Sequence, residues 1–326
     1  MASVKLGCTV LISYLLLLAT ICNAGLSSVY YQSSCPQAAD IIKREVTKML
    51  KKDRTLVGPL LRLQFHDAWV NGVDGSVLIK STATNLAEID AHVNFELGAI
   101  LEIAVIKAAL ETECPNTVSC ADIIACAARD ATVFAKGPSW PVLLGRRDSR
   151  VSRAIDADTH LPFPVFRYPE LVKNFAAKGF NAREMIVLSG AHTLGQAHCN
   201  AIGPNLYDYT GQDSLNDTNP NLSPAFATRL KQTCPKGNKL NEVDMDRFPN
   251  KFDNLYFKEV LSNKGYMITD DELIRGKKYG RNMVQYLSKH TSSWRSEFAN
   301  AMAKMSQLSP LLAPDGEIRK NCEIIN

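Results

Sequence analysis

The sequence predicts a mainly α-helical protein. Three observations carry that reading: apolar residues recur at helical spacing, cap signals close those segments, and strand signals are few. The pattern starts at Pro36, which suits a first helical turn, and runs to Lys51 with Ala38, Ala39, Ile42, Val46, Met49 and Leu50 on one side. A second helix follows Pro59 through Leu60, Leu61, Leu63 and Phe65. Ser119 and Asp122 resemble a capping box for Ala121–Lys136, which Gly137 stops. Glu170–Lys178 reads as helix up to Gly179, and Asn181 with Glu184 caps the next one. Ala225–Thr233, Phe252–Ser262 and Ser293–Leu308 complete the set. Val142–Leu144 and Tyr266–Thr269 are the strand candidates and could form a small ribbon. Ala201–Asn221, rich in Gly, Asn, Asp and Pro, reads as a long surface excursion. It carries two glycosylation sequons, at Asn216 and Asn221, the second weakened by Pro224.

Composition narrows the class. Of 326 residues, 46% are hydrophobic and 21% charged, which excludes an intrinsically disordered chain. The 37 basic and 33 acidic residues are interspersed, so no basic stripe for nucleic acid exists. Lys5, the apolar run Val10–Ala19 and Cys22-Asn23-Ala24 predict a secretory signal peptide over residues 1–24. No later segment is apolar enough to span a membrane. The expected mature chain, 25–326, carries seven of the nine cysteines into an oxidising compartment, where disulfides are the default. One thiol must be left over.

Two segments concentrate chemistry. In Leu60–Asp67, Arg62 and His66 stand four apart and share a helix face inside an apolar run. A charged Arg there needs a partner or a pocket. Directly after it, Asp67, Asn71, Asp74 and Ser76 alternate with Gly72 and Gly75, an oxygen-rich loop suited to calcium. In Leu188–Gly195, His192 sits among small residues that either admit a flat cofactor or serve tight helix packing. No c-type haem attachment site, serine-hydrolase elbow, phosphate loop or zinc-protease motif occurs.

With these residues in place, the chain resembles the secreted plant haem peroxidases of class III over its whole mature length. The motifs are LRLQFHD, VNGVDGS, SCADI, GRRD, LSGAHT, FDN, TDDEL and GEIRKNC. The resemblance implies one two-lobed helical domain with haem b between a distal and a proximal lobe. His192 would ligate the iron, with Asp270 holding its second nitrogen; His66 and Arg62 would be the distal pair, oriented by Asn94. Phe65 would adjoin the cofactor, and Pro162 would lie in the aromatic-donor region. A distal calcium would use Asp67, Val70, Gly72, Asp74 and Ser76, with Glu88 acting through water. A proximal calcium would use Thr193, Asp246, Lys251 and Asp253. The implied reactants are hydrogen peroxide and small phenolic donors, with cell-wall polymers as further partners and a monomeric, exported protein. The implied disulfides are Cys35–Cys114, Cys120–Cys322 and Cys199–Cys234, leaving Cys126 as a small buried hydrophobe.

The sequence also departs from the family pattern. Ala68 and Val73 replace a cysteine pair, and Trp69 replaces a Phe. The missing short bridge would contribute about 2 kcal/mol in the chain-entropy model, so the distal loop should lean more on its metal. Phe248, with a one-residue deletion, removes an expected proximal calcium ligand. Met245 replaces a common aromatic under the haem, and Gly98 replaces an Arg. These changes motivate a rival reading, a secreted wall-binding protein on a peroxidase scaffold. The retained Arg62, His66, His192 and Asp270 argue against it.

Overall fold

The computed structural model describes residues 25–326; the expected leader lies outside them. Thirteen α-helices and one two-stranded sheet make up the regular structure of the described residues. The first four helices are α1 (Ala38–Lys52), α2 (Val57–Trp69), α3 (Ile100–Glu113) and α4 (Cys120–Phe134). Both α1 and α2 pack along α4. The small side chains Ala121, Ala125, Ala127, Ala128 and Ala131 of α4 are buried and allow this close approach. Ser119 Oγ accepts from the Asp122 amide at 3.1 Å, capping α4 as expected. Buried Asp122 also pairs with Arg146 at 2.7 Å, which ties the helix to the Leu143–Arg146 segment.

The chain continues through α5 (Ala154–His160), α6 (Tyr168–Ala177), α7 (Ala182–Ser189), β1 (Gln196–His198), α8 (Cys199–Tyr207) and α9 (Pro224–Thr233). It ends with β2 (Glu242–Asp244), α10 (Leu255–Leu261), α11 (Ile268–Arg275), α12 (Lys278–Leu287) and α13 (Thr291–Met305). Asn181 and Glu184 form the expected reciprocal cap of α7. A small second core gathers Ile202, Leu206, Phe226, Leu230, Met245 and Tyr266 around the Cys199–Cys234 bridge. The other two disulfides also pair as expected, and Cys126 is free and buried. Burial pushes its thiol up to about 12, so it stays protonated and inert.

Two expectations are corrected, and helices that the sequence did not disclose are added. The ribbon pairs β1 with β2, antiparallel, rather than Val142–Leu144 with Tyr266–Thr269. Leu144 makes only an isolated bridge to Ser27, and Ile268 already begins α11. The excursion expected from Ala201 begins later, because α8 runs to Tyr207 and buries Ile202 and Leu206. The added helices include α3, α5 and α12, and of these α3 is the one whose periodicity is blurred. It exposes Leu101 and Val105 opposite buried Ile103, Ile106 and Leu110, so its apolar residues go all round.

One backbone contact positions the candidate site. Gly58 in the first turn of α2 meets Gly195 so closely that an added Cβ would lie 2.6 Å from the Gly195 Cα. Gly195 itself has φ of +82°, a left-handed conformation natural only to glycine. The His66 helix and the segment just after His192 therefore join backbone to backbone.

Candidate active site

On α2, Arg62 Nε donates to His66 Nε2 at 3.0 Å, while the guanidinium also donates to the Glu96 and Val93 carbonyls at 3.3 and 3.4 Å. His66 Nδ1 lies 2.5 Å from Asn94 Oδ1, and Asn94 Nδ2 donates to the Glu88 carbonyl at 2.5 Å. A carbonyl only accepts, so the amide's NH₂ must face Glu88 and its oxygen must face His66. That fixes the imidazole proton on Nδ1 and leaves Nε2 unprotonated, its lone pair accepting from Arg62 Nε. Burial first, then the Arg62 charge, holds His66 well below the ordinary histidine range; Asn94 acts weakly against them. Burial brings Arg62 down to about 10, which still leaves it cationic at neutral pH.

His192 occupies a single 3₁₀ turn, Gly190–Thr193, that follows α7. Its Nδ1 lies 2.8 Å from Asp270 Oδ1, at the start of α11. Asp270 also accepts from the Met267 amide at 2.9 Å and the Tyr256 hydroxyl at 2.8 Å. Burial alone would raise the Asp270 carboxyl, but the imidazole and these donors outweigh it and hold it below the ordinary range. Burial and the neighbouring Asp270 keep the Tyr256 hydroxyl protonated. Gly190 is small for a packing reason: an added Cβ would meet Trp294 at 2.7 Å and Phe257 at 2.8 Å. The His192 side chain nevertheless stays 39% exposed in this packed setting, with Nε2 unpartnered among the described residues. A fixed, open imidazole of this kind fits an iron ligand.

Phe65 packs on Trp69 and Phe175 with centroids 4.6 and 6.3 Å away, so the replacement Trp69 is absorbed into an aromatic cluster. Pro162 lies half-buried beside Phe163, whose ring faces His92 at 6.1 Å. A cavity of about 290 Å³ opens behind Asn94, lined by Asp90, His92, Phe95, Glu96 and Lys239. His198 sits half-buried in β1 against Glu242 at 3.5 Å, away from any ligand role.

The two expected calcium sites differ. On the distal side, both oxygens of Asp67 and of Glu88, and the Ser76 hydroxyl, are buried with no hydrogen-bond partner. Burial raises all three carboxyls, Asp67, Asp74 and Glu88; repulsion from Asp74 and Glu88 adds to it at Asp67, and repulsion from Asp74 helps bring Glu88 from 4.5 to about 8. Orphaned hard oxygens with surplus negative charge fit a divalent cation. The Val70 carbonyl takes the Lys178 ammonium at 2.9 Å, which leaves it one lone pair. Gly72 holds φ of +130° with its Cα face against the Ser309 carbonyl. Asn71 turns away, donating to Asp156 at 3.2 Å, so this oxygen candidate does not join the others. Sequence reasoning missed Arg319, fully buried behind the loop and bonded to the Gly75 carbonyl; its only signal was its place in GEIRKNC.

On the proximal side the oxygens are already satisfied. Asp246 accepts from Thr193 Oγ1 at 2.5 Å and from the Phe248 amide at 2.6 Å. Asp253 accepts from the Leu255 amide at 3.0 Å and from Lys251 Nζ at 2.9 Å. Arg247 and Lys251 both lie over the Phe248 ring. Burial, with repulsion from Asp253 and Glu259, still raises the Asp246 carboxyl to about 6, but with its oxygens already bonded this side offers a calcium less than the distal loop does. Among the described residues no group of three or more His, Cys, Asp or Glu side chains could hold a metal by itself, so a distal cation would also need carbonyl and hydroxyl oxygens.

A helical fold with an Asn-oriented distal His-Arg pair and an Asp-held second histidine defines a haem-peroxidase type of centre. The peroxidase family model matches residues 42–289, and the chain belongs to that family. It is 41% identical over 303 residues to Peroxidase 1 of Arabidopsis thaliana, covering 91% of each chain. Peroxidase 1 of Oryza sativa subsp. japonica is 39% identical over 309 residues, covering 93% of this chain and 94% of its own. Peroxidase 15 of Arabidopsis thaliana is 35% identical over 338 residues, covering 99% of both. Within the family the resemblance is thus to the plant class III peroxidases, and the chain is a peroxidase enzyme.

Proposed function

We propose that this chain reduces hydrogen peroxide at a haem b held between His66 and His192, and oxidises small phenolic donors by one-electron steps. The observation that carries the reading is the fixed tautomer of His66. With Asn94 accepting from Nδ1, Nε2 is the basic nitrogen, and once Arg62 Nε turns from it to the substrate its lone pair would take a proton from peroxide and return it to the departing oxygen. Arg62, cationic and 3.0 Å from that nitrogen, would stabilise negative charge as the O–O bond opens. When bound, the haem supplies the electron-transfer chemistry of peroxide reduction and donor oxidation. His192 would hold it from the proximal side, with Asp270 setting ring orientation and basicity. Phe65 would adjoin the cofactor and Pro162 the donor region.

The distal loop would hold one calcium through Asp67, Val70, Gly72, Asp74 and Ser76, with Glu88 reaching it through water. Glu88 then acts twice, with its carboxylate toward the ion and its carbonyl orienting Asn94. Export to the wall fits the leader-like residues 1–24, and no described helix is long and apolar enough to cross a membrane. Sequon Asn216 is exposed and Asn221 half-buried, which favours the first as a glycan site. Monomeric action on wall phenolics completes the proposal.

The test is an absorption spectrum of haem-reconstituted protein with and without peroxide, beside His66→Leu. Both proteins should show a Soret band, and the variant should react with peroxide about 10²–10⁴-fold more slowly, the usual worth of a positioned general base. A variant that reacts at the parent rate would remove His66 from the chemistry.

A further inference from the structure

Tyr256 lies in α10, fully buried, with its ring edge-on to the His192 imidazole at 5.7 Å and 88°. Its hydroxyl and His192 Nδ1 converge on the same atom, Asp270 Oδ1, each at 2.8 Å. The other carboxylate oxygen is taken by the Met267 amide at 2.9 Å. A carboxylate oxygen has no hydrogen, so the tyrosine can only donate there.

We propose that Tyr256 is a positioning residue that moderates how strongly His192 donates electrons, by sharing the carboxylate oxygen on which the imidazole proton rests. This rests on the reading of His192 as the iron ligand. Two donors on one oxygen each receive a weaker bond than one donor would, and in a buried site no water compensates. Less charge reaches the Nδ1 proton, and the ring keeps less imidazolate character. Removing the hydroxyl returns Oδ1 wholly to His192. The bound iron should then be harder to reduce and more tightly tied to its histidine.

Tyr256→Phe keeps the ring packing and leaves Asp270 with two of its partners. In the haem-loaded protein it should move the Fe(III)/Fe(II) midpoint to a more negative value. It should also raise the iron–histidine stretching frequency of the ferrous form in resonance Raman spectra. Tyr207→Phe is the control, because it removes another largely buried tyrosine hydroxyl, one bonded to the Cys234 carbonyl at 2.8 Å, with no link to Asp270. It should leave both quantities at parent values. Asp270→Asn should move both in the opposite sense to Tyr256→Phe. If Asp270→Asn shifts them and Tyr256→Phe does not, the role of Tyr256 is overturned while the His192 reading stands. If neither variant shifts them, the His192 reading fails and takes the proposal with it.

Discussion

At the residue scale, one amide holds the proton of the distal histidine on Nδ1. Asn94 is held by the Glu88 carbonyl, so it cannot flip to present its NH₂ to His66. Asn94→Val removes the acceptor that holds the Nδ1 proton, leaving only the Arg62 Nε–H at Nε2 to favour that tautomer. A hydrogen bond of this kind is worth about 1.4 kcal/mol, so stopped-flow mixing with peroxide should show roughly a tenfold slower reaction. That is a smaller loss than His66→Leu, because the base itself remains. The acidity of His66 gives a second expectation. Its conjugate acid lies well below the ordinary histidine value of 6.5, through burial and the Arg62 charge. A base held neutral in this way stays active as pH falls, so the acid limb of the peroxide reaction should lie below 6.5. Midpoints at or above that value would mean that the pocket is wetter or less positive than the geometry requires.

At the element scale, α2 carries both His66 with Arg62 and the first oxygen of the proposed calcium site, Asp67, and its opposite end is pressed on Gly195. Gly58→Ala would force a methyl to 2.6 Å from that Cα, where backbone rather than a flexible side chain must yield. Overpacking of this sort costs about 1–3 kcal/mol, which thermal unfolding would register as a lower Tm; an unchanged Tm would show that the two segments are free to part. The caps of α4 and α7 were legible because a cap is a contact within three or four residues of sequence. The His-Arg pair was legible for the same reason, at one helical turn. By contrast α3 escaped because its outward Leu101 and Val105 blur the periodicity, and the ribbon escaped because three-residue strands with polar ends carry no pattern. Tyr256 and Arg319 belong to the candidate site only through folding: Tyr256 reads as an apolar position of α10, and Arg319 as one more basic residue near the carboxyl terminus.

At the scale of the whole molecule, the two sides of the proposed haem pocket balance charge differently. The distal loop buries Asp67, Asp74 and Glu88 with Arg319 as the buried cation behind them, whereas the proximal carboxylates are answered by Thr193, Lys251 and backbone amides. The loop also lacks its short bridge: Ala68 and Val73 are fully buried, and the Val73 amide bonds to the Leu308 carbonyl at 3.0 Å. The metal content should therefore be one tightly held calcium per chain, and elemental analysis after dialysis that gave two would contradict the proximal assignment. Chelation then makes a signed prediction. Without the ion, Glu88 titrates near 8 folded against 4.5 unfolded, and Asp67 and Asp74 are raised as well. Between those values the folded state binds more protons than the unfolded one, so stability falls as pH rises through this window. Calcium stabilises the ionised carboxylates and binds with release of protons, so it should flatten that slope. In a chelator the Tm should drop steadily from about pH 5 to 8, with excess calcium restoring a nearly level profile. Parallel profiles with and without the ion would mean that these orphaned oxygens are satisfied by something other than a cation.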